Sequence, residues 1–318
     1  MDEPVAVSVV IPTRNEERNL PHCLARLARF AEVVVVDSAS TDGTRQIARD
    51  AGAGLVDFQW NGRFPKKRNW VLRNYDFACD WVLFLDADEY VDDAFINEVD
   101  RTVSRTDCAG FYLTYQSYFL GRLLAHGDRF RKLALIRRGS GEYEYIADEH
   151  WSDLDMEVHE HPIIDGPVGV IRTPIRHEDF KGLNAYIRRH NEYSSWEARR
   201  YMRLREADRS EWKRQSLRQR IKYRLLDTWL LGPLYFTYCF ILRLGLLDGR
   251  AGFIFALMKM QYFWQIKAKI VEARLQSHCQ SDADHQADAG NDTDVASDGA
   301  APTPPGPSPS SAGRDPAS

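Results

Sequence analysis

Residues 5–11 are a β-branched apolar run, interrupted only by Ser8, that stops at Pro12, the pattern of a strand buried on both faces. A polar stretch, Thr13 to Asn19, leads into residues 20–30, where Leu20, Leu24 and Leu27 recur at helical spacing with Cys23 beside them. Residues 32–36 predict a second buried strand ending at Asp37. A turn-rich segment follows, in which Thr41 or Asp42 is expected to cap a helix running to Asp50. After a short apolar segment at 54–58, residues 81–85 predict another buried strand, which ends at Asp86-Ala87-Asp88-Glu89. Strands alternating with helices give βαβ units and a mainly parallel sheet. Ligands of such sheets bind at the carboxyl ends of the strands. The clusters Thr13–Glu16, Asp37–Asp42 and Asp86–Glu89 each follow such an end, so they are expected on one rim.

From Ala109 the pattern changes. Residues 110–118 and 132–136 read as strands, and the region up to Val170 mixes short apolar runs with many charges. From Leu183 the spacing of Tyr186, Ile187, His190 and Tyr193 is helical. Residues 225–247 are mostly apolar but interrupted by Asp227, Gly232-Pro233 and Arg243. A second apolar stretch, 251–266, contains Lys259. A spanning helix needs about twenty apolar residues, and burying these charges in a bilayer is costly. The pattern therefore predicts two helices lying in a membrane interface, the alternative being that both stretches pack on the catalytic domain as core helices. Beyond Ser277 the chain is rich in Asp, Ala, Ser, Gly and Pro and is expected to be disordered. The organisation predicted is a catalytic α/β domain over 1–180, with a nucleotide-binding half at 1–115 and an acceptor half at 116–180. A membrane-associating helical region over 181–276 and a tail over 277–318 complete it.

Composition adjusts this picture in three places. An apolar fraction of 44% suits a globular core and is too low for a polytopic membrane protein. A net charge of −4 gives no reason to expect a nucleic-acid partner, but residues 181–224 hold fourteen Lys and Arg against five Asp and Glu, a segment suited to anionic headgroups. The five cysteines have no paired spacing, which fits a reducing compartment. With an acidic, short start before the first apolar run, the expectation is a cytoplasmic protein, peripheral at the inner face of the plasma membrane.

Asp86 and Asp88 carry the sharpest chemistry. Two carboxylates one residue apart beyond a buried strand repel each other, so the pairing calls for a cation. Mg2+ or Mn2+ is the natural hard partner, completed by substrate phosphate oxygens. Asp37 is placed to accept from a base N–H or a ribose hydroxyl. Lys66, Lys67 and Arg68 are candidates to neutralise a diphosphate. Glu160, in Val158-His159-Glu160-His161, is the candidate general base, with Asp148, Glu149 and Asp155 as competitors. The first turn, Pro12-Thr13-Arg14-Asn15-Glu16, lacks the Gly-x-Gly-x-x-Gly of a dinucleotide site. Rival readings are a metal-dependent nucleotidyltransferase, which would carry a Gly-rich phosphate loop here, and a non-catalytic membrane-associated binding protein.

Taken together, residues 9–17, 36–44 and 86–89 resemble family 2 glycosyltransferases. Leu120-Gly121-Arg122, Val158-His159-Glu160 and residues 244–252 are similar to the branch of lipopolysaccharide core β-1,4-glucosyltransferases. The resemblance implies a GT-A fold, a UDP-sugar donor, a divalent cation and inversion at the anomeric carbon. It places Pro12, Thr13, Asn15, Glu16, Asp37, Arg68 and Asp86 around the nucleotide, Asp86 and Asp88 at the metal, and Glu160 as the base. The acceptor implied is a glycan or lipid-linked glycan. Where many members carry a second acidic residue, this chain has Ser38.

Overall fold

The structure, a computed structural model, describes residues 3–127, 130–148, 154–156, 160–206 and 217–291, with the backbone alone for 218 and 278–291. Val158, His159 and Glu149 of the sequence reading lie outside the described residues. The chain divides into two compact units, Met1–Ile270 and Val271–Ser318.

A nine-stranded sheet organises the first unit. Strands β1 (Val5–Thr13), β2 (Phe30–Asp37), β3 (Gly54–Asp57) and β4 (Trp81–Phe84) pair in parallel in the order β3-β2-β1-β4. Between them run α1 (Leu20–Leu24), α2 (Thr44–Asp50) and α3 (Lys67–Asn74). The two-residue strand β5 (Glu89–Tyr90) leads to α4 (Asp93–Val103), capped by Asp92, whose carboxylate accepts from the Phe95 N–H. Beyond β4 the order continues through β8 (Arg131–Arg137), β6 (Gly110–Phe119) and β11 (Val168–His177) to β5. The short β7 (Arg122–Leu124) pairs with β6, while β9 (Gly141–Tyr143) and β10 (Pro162–Ile164) form a separate pair. Val9, Ile11, Val35, Leu83, Leu135 and Ile171, fully buried, form the centre of the core.

Helix α5 (Gly182–Glu206), α6 (Leu217–Leu226), α7 (Leu231–Thr237) and α8 (Gly249–Asn291) follow, with a π-helical turn at Tyr238–Leu242 and a 3-10 turn at Gly245–Asp248. A second core forms where Ala198, Tyr201 and Leu204 of α5 meet Tyr223, Leu226, Ile266 and Ile270. Gly252 lies where a Cβ would stand 2.2 Å from the Gly245 carbonyl oxygen, so only glycine lets α8 start against the 3-10 turn.

Four boundaries differ from the sequence reading. Strand β1 runs through Pro12 to Thr13 because the ladder with β4 ends at Val10, leaving no partner for the N–H that proline lacks. Helix α1 is a single turn: Arg26 and Leu27 donate to carbonyls three residues back, and the chain enters β2 at Phe30. The apolar stretch 225–247 is not one helix. It breaks at residues 227–230, just before the first turn of α7 that holds Gly232-Pro233, and again at Leu244, which has a left-handed backbone. Helix α8 runs to Asn291, past the Ser277 boundary, since Ala283, Ala287 and Ala289 support helix and no proline falls between Ser277 and Pro302.

His190 on α5 stacks on Tyr186 with ring centroids 3.8 Å apart and meets Tyr262 of α8 edge-on at 5.6 Å. Burial, with Lys259 nearby, pushes its imidazole from 6.5 down to about 4. A folded-state value below the unfolded one means that the unfolded chain takes up the proton first. Stability is therefore full above about pH 6.5 and falls as the pH drops toward 4. The melting temperature should decline across this window, and His190→Phe should flatten the decline. An unchanged slope in His190→Phe would show that other groups control it.

Candidate active site

A cavity of about 820 Å3 opens at the carboxyl ends of the parallel strands, and Pro12, Glu16, Arg68, Asp86, Asp88 and Glu160 all lie on its wall. These six sequence-predicted residues are brought together. Thr13, Asn15 and Asp37 instead form the layer beside them. Asp37 is fully buried and accepts from the Thr13 hydroxyl at 3.0 Å, from the Ser40 N–H at 3.0 Å and from the Arg45 guanidinium at 3.3 Å. Asn15 ties the loop after β1 to the loop after β2: its N–H donates to the Ser40 hydroxyl and its side-chain oxygen accepts from the Thr41 N–H, both at 2.8 Å. The Ser38 hydroxyl is buried without a hydrogen-bond partner among the described residues.

A tight turn presents Asp86 and Asp88. The Glu89 N–H donates to the Asp86 carbonyl at 2.9 Å, and the Glu89 carboxylate accepts from the Asp86 N–H at 3.1 Å. Arg68 Nη2 lies 2.6 Å from Asp86 Oδ1 and Lys132 Nζ lies 2.7 Å from Oδ2. Burial works against the Asp86 charge, yet Lys132 and Arg68 hold its carboxyl well below the usual range. His177 Nε2 is 3.5 Å and Arg189 Nη1 4.0 Å from Asp88 Oδ2. Against the cost of burial, these two cations bring Asp88 down to about 2. Glu89, which shares Lys132 at 2.5 Å, is pushed up to about 6 by burial and by the neighbouring acids. Burial likewise raises Glu16 to about 7, although Lys181 reaches its Oε1 at 2.5 Å.

Lys132, His177 and Arg189 were missed by the sequence reading. His177 had a legible signal: it ends β11 and opens the polar cluster His177-Glu178-Asp179, much as the other clusters stand at the ends of their strands. The antiparallel pairing of β11 with β5 sets His177 opposite Glu89, and the Glu178 N–H donates to the Asp88 carbonyl at 2.9 Å. Lys132 and Arg189 had no such marker.

Lys66 and Lys67 are buried and committed to the protein itself, unlike the diphosphate ligands expected. Lys67 Nζ donates to the Thr13 carbonyl at 2.9 Å and lies 3.3 Å from Asp155. Lys66 Nζ lies 2.6 Å from both Asp148 Oδ2 and Glu160 Oε1. The physical reason for Lys66 is that its acid partners, Asp148 and Glu160, are themselves buried and need a counter-ion, while Lys67 is held by the Thr13 carbonyl and the half-buried Asp155. His161 pairs with Glu144 at 3.3 Å. Among the described residues no three His, Cys, Asp or Glu side chains are grouped to hold an ion on their own.

The family model for glycosyl transferase family 2 matches residues 8–153. The lipopolysaccharide core biosynthesis glycosyltransferase LpsC of Rhizobium meliloti (strain 1021) is 30% identical over 280 residues, which cover 84% of this chain and 92% of the relative. Glycosyltransferase AglJ of Haloferax volcanii is 38% identical over 90 residues, covering 28% of this chain and 29% of its own. Among solved structures, a mannosyltransferase of Pyrobaculum calidifontis in complex with GDP-Man and Mn2+ aligns over 85% of this chain and 88% of its own, at 16% identity and a TM-score of 0.45. By its match to the family model and its near full-length likeness to the Rhizobium enzyme, the chain belongs to glycosyl transferase family 2.

Proposed function

We propose that this glycosyltransferase moves a sugar, with inversion, from a UDP-sugar to a glycan or lipid-linked glycan acceptor in cell-surface polysaccharide or lipopolysaccharide synthesis. The observation that carries the reading is that the Asp86/Asp88 pair and Glu160 share the wall of one cavity. The acceptor class rests on the name of the Rhizobium relative.

Pro12, Glu16 and Arg68 hold the nucleotide end, with Thr13, Asn15 and Asp37 ordering the rim behind them. The unpartnered Ser38 hydroxyl at that rim suits a base. A divalent cation fits here on donor chemistry: Asp86 and Asp88 are hard oxygen donors held ionised at the cavity, and two carboxylates completed by phosphate oxygens are a usual Mg2+ or Mn2+ set. When bound, the cation stabilises the negative charge that develops on the departing diphosphate. Arg68 and Lys132 supply fixed positive charge to the same end. Glu160 removes the proton from the acceptor hydroxyl, whose oxygen attacks the anomeric carbon from the face opposite the diphosphate.

The same reading places the enzyme on a membrane surface, at the inner face of the plasma membrane. No helix among the described residues is long and apolar enough to cross a bilayer. Yet Trp229, Leu230, Leu234, Ile241, Leu242 and Leu247 are exposed within one short stretch, more apolar surface than scattered residues give. An interfacial helix buries such residues at the acyl boundary while basic residues meet anionic headgroups.

Asp88→Asn should lower transfer at least a hundredfold, the rough scale of losing one group that stabilises the transition-state charge, with little change in melting temperature. Transfer from radiolabelled UDP-sugars at saturating Mn2+ measures it, and near wild-type turnover would remove Asp88 from the site. The protein should sediment with anionic liposomes at low salt, and Leu242→Asp with Leu247→Asp should release it. A wild-type chain that stays in the supernatant would sink the membrane reading.

A further inference from the structure

Behind Glu160 lies a buried arrangement that catalysis of this kind does not require of itself. Lys66 Nζ stands 2.6 Å from Glu160 Oε1 and 2.6 Å from Asp148 Oδ2, with side-chain exposures of 4%, 3% and 1% for the three residues. Trp196 of α5 donates its indole N–H to the same Asp148 Oδ2 at 2.8 Å. Of the three charged groups it is Glu160 that lines the cavity. Lys66 immediately precedes α3, whose Arg68 reaches Asp86 at 2.6 Å, so one turn of chain serves both carboxylate groups.

Two buried carboxylates thus share the Lys66 ammonium. Buried charges are costly unless paired and hydrogen-bonded. When a proton arrives at Glu160, Lys66 and Asp148 remain beside it as a neutral pair. Without Asp148, proton uptake by Glu160 would leave Lys66 as an uncompensated buried cation.

We propose that Lys66 and Asp148 are a positioning pair for Glu160: Lys66 fixes the carboxylate toward the cavity, and Asp148 serves as the counter-ion of Lys66 once Glu160 has taken the proton. The inference rests on Glu160 being the base. In the step itself the acceptor O–H bond breaks and its proton passes to a Glu160 carboxylate oxygen. The freed oxygen pair forms the bond to the anomeric carbon, and the carbon–oxygen bond to the diphosphate breaks with its electrons leaving on the nucleoside diphosphate. The described charged groups around the cluster are His161 with Glu144, Lys222 with Glu197 on the helices, Lys67 with Asp155, and Arg203 of α5, whose guanidinium donates to the Ala147 carbonyl at 2.7 Å. The first three cations each have an acid partner of their own. Lys66 is the cation that both Asp148 and Glu160 share.

The acid limb of the kcat/KM profile tests the pair, since it reports the free enzyme's base. Asp148→Asn leaves Lys66 wholly to Glu160, so the limb should move down by about one pH unit and plateau turnover should fall roughly tenfold, a weaker base being the cause. Lys66→Met removes the ammonium that both carboxylates share, and the limb should move up by about one unit. Lys66→Arg should return it toward the wild-type position. The KM for the UDP-sugar should stay near wild type throughout. Limbs that do not move, or that move in the same direction in Asp148→Asn and Lys66→Met, overturn the pair while Glu160→Gln stays inactive. Should Lys66→Met not fold, the downward shift in Asp148→Asn decides alone. A Glu160→Gln enzyme with full turnover removes the base, and the pair with it.

Discussion

Carboxylates crowded at the end of a sheet repel one another, and burial makes each charge harder to keep. In this chain the answer lies in three consecutive cations at the start of α3, all nearly inaccessible to solvent. Lys66 reaches Asp148 and Glu160, Lys67 reaches Asp155 and the Thr13 carbonyl, and Arg68 reaches Asp86. One short piece of chain thus ties the loop after β1, the turn after β4 and the segment before β10. Removing Lys66 takes from the buried Asp148 the ammonium that it shares with Glu160, a larger loss than the pair itself is worth, and removing Arg68 leaves Lys132 alone beside Asp86. The geometry of the cavity wall depends on this segment more than on any apolar contact.

The second half of the wall is built differently. β8, β11 and α5 bring Lys132, His177 and Arg189 to the acids of the Asp86–Glu89 turn. The turn is therefore wrapped by cations from four separate elements, α3 included. Such a surround keeps Asp86 and Asp88 ionised, while burial and the charges of those two acids outweigh the same cations at Glu89 and push it up, so neighbouring acids acquire different proton affinities from position alone.

The parallel half of the sheet was legible because strands buried on both faces write themselves as continuous apolar runs. The three polar clusters at their ends were legible for the same reason. Each cluster is an abrupt stop to such a run, and four of its candidate positions, Pro12, Glu16, Asp86 and Asp88, do face the cavity. What the sequence hid was partnership. Nothing in Lys66-Lys67-Arg68 says that the first two point inward to acids more than eighty residues away in the chain, as the Lys66–Asp148 and Lys66–Glu160 separations of 82 and 94 require. Lys132 and Arg189 each follow an arginine, Arg131 and Arg188, on otherwise ordinary elements, and only the packing of β8 and α5 against the turn tells which of the two neighbours reaches the acids. Helix ends were misplaced where backbone bonding of the short connections, such as the i→i−3 turns after α1, outweighed side-chain periodicity.

Strand β11 pairs with β6 through an irregularity between Ile171 and Ile175, where four steps on β11 match two on β6. The two additional residues are an even number, so the alternation of faces is kept and His177 arrives opposite Glu89. A single inserted or deleted residue at Thr173-Pro174 would carry the imidazole to the far side of the sheet while leaving every hydrophobic position before it unchanged. The identity of the cation nearest Asp88 is therefore encoded as a count of residues in a bulge, and natural length variation at that point offers evolution a way to retune the site without touching a single residue of its wall.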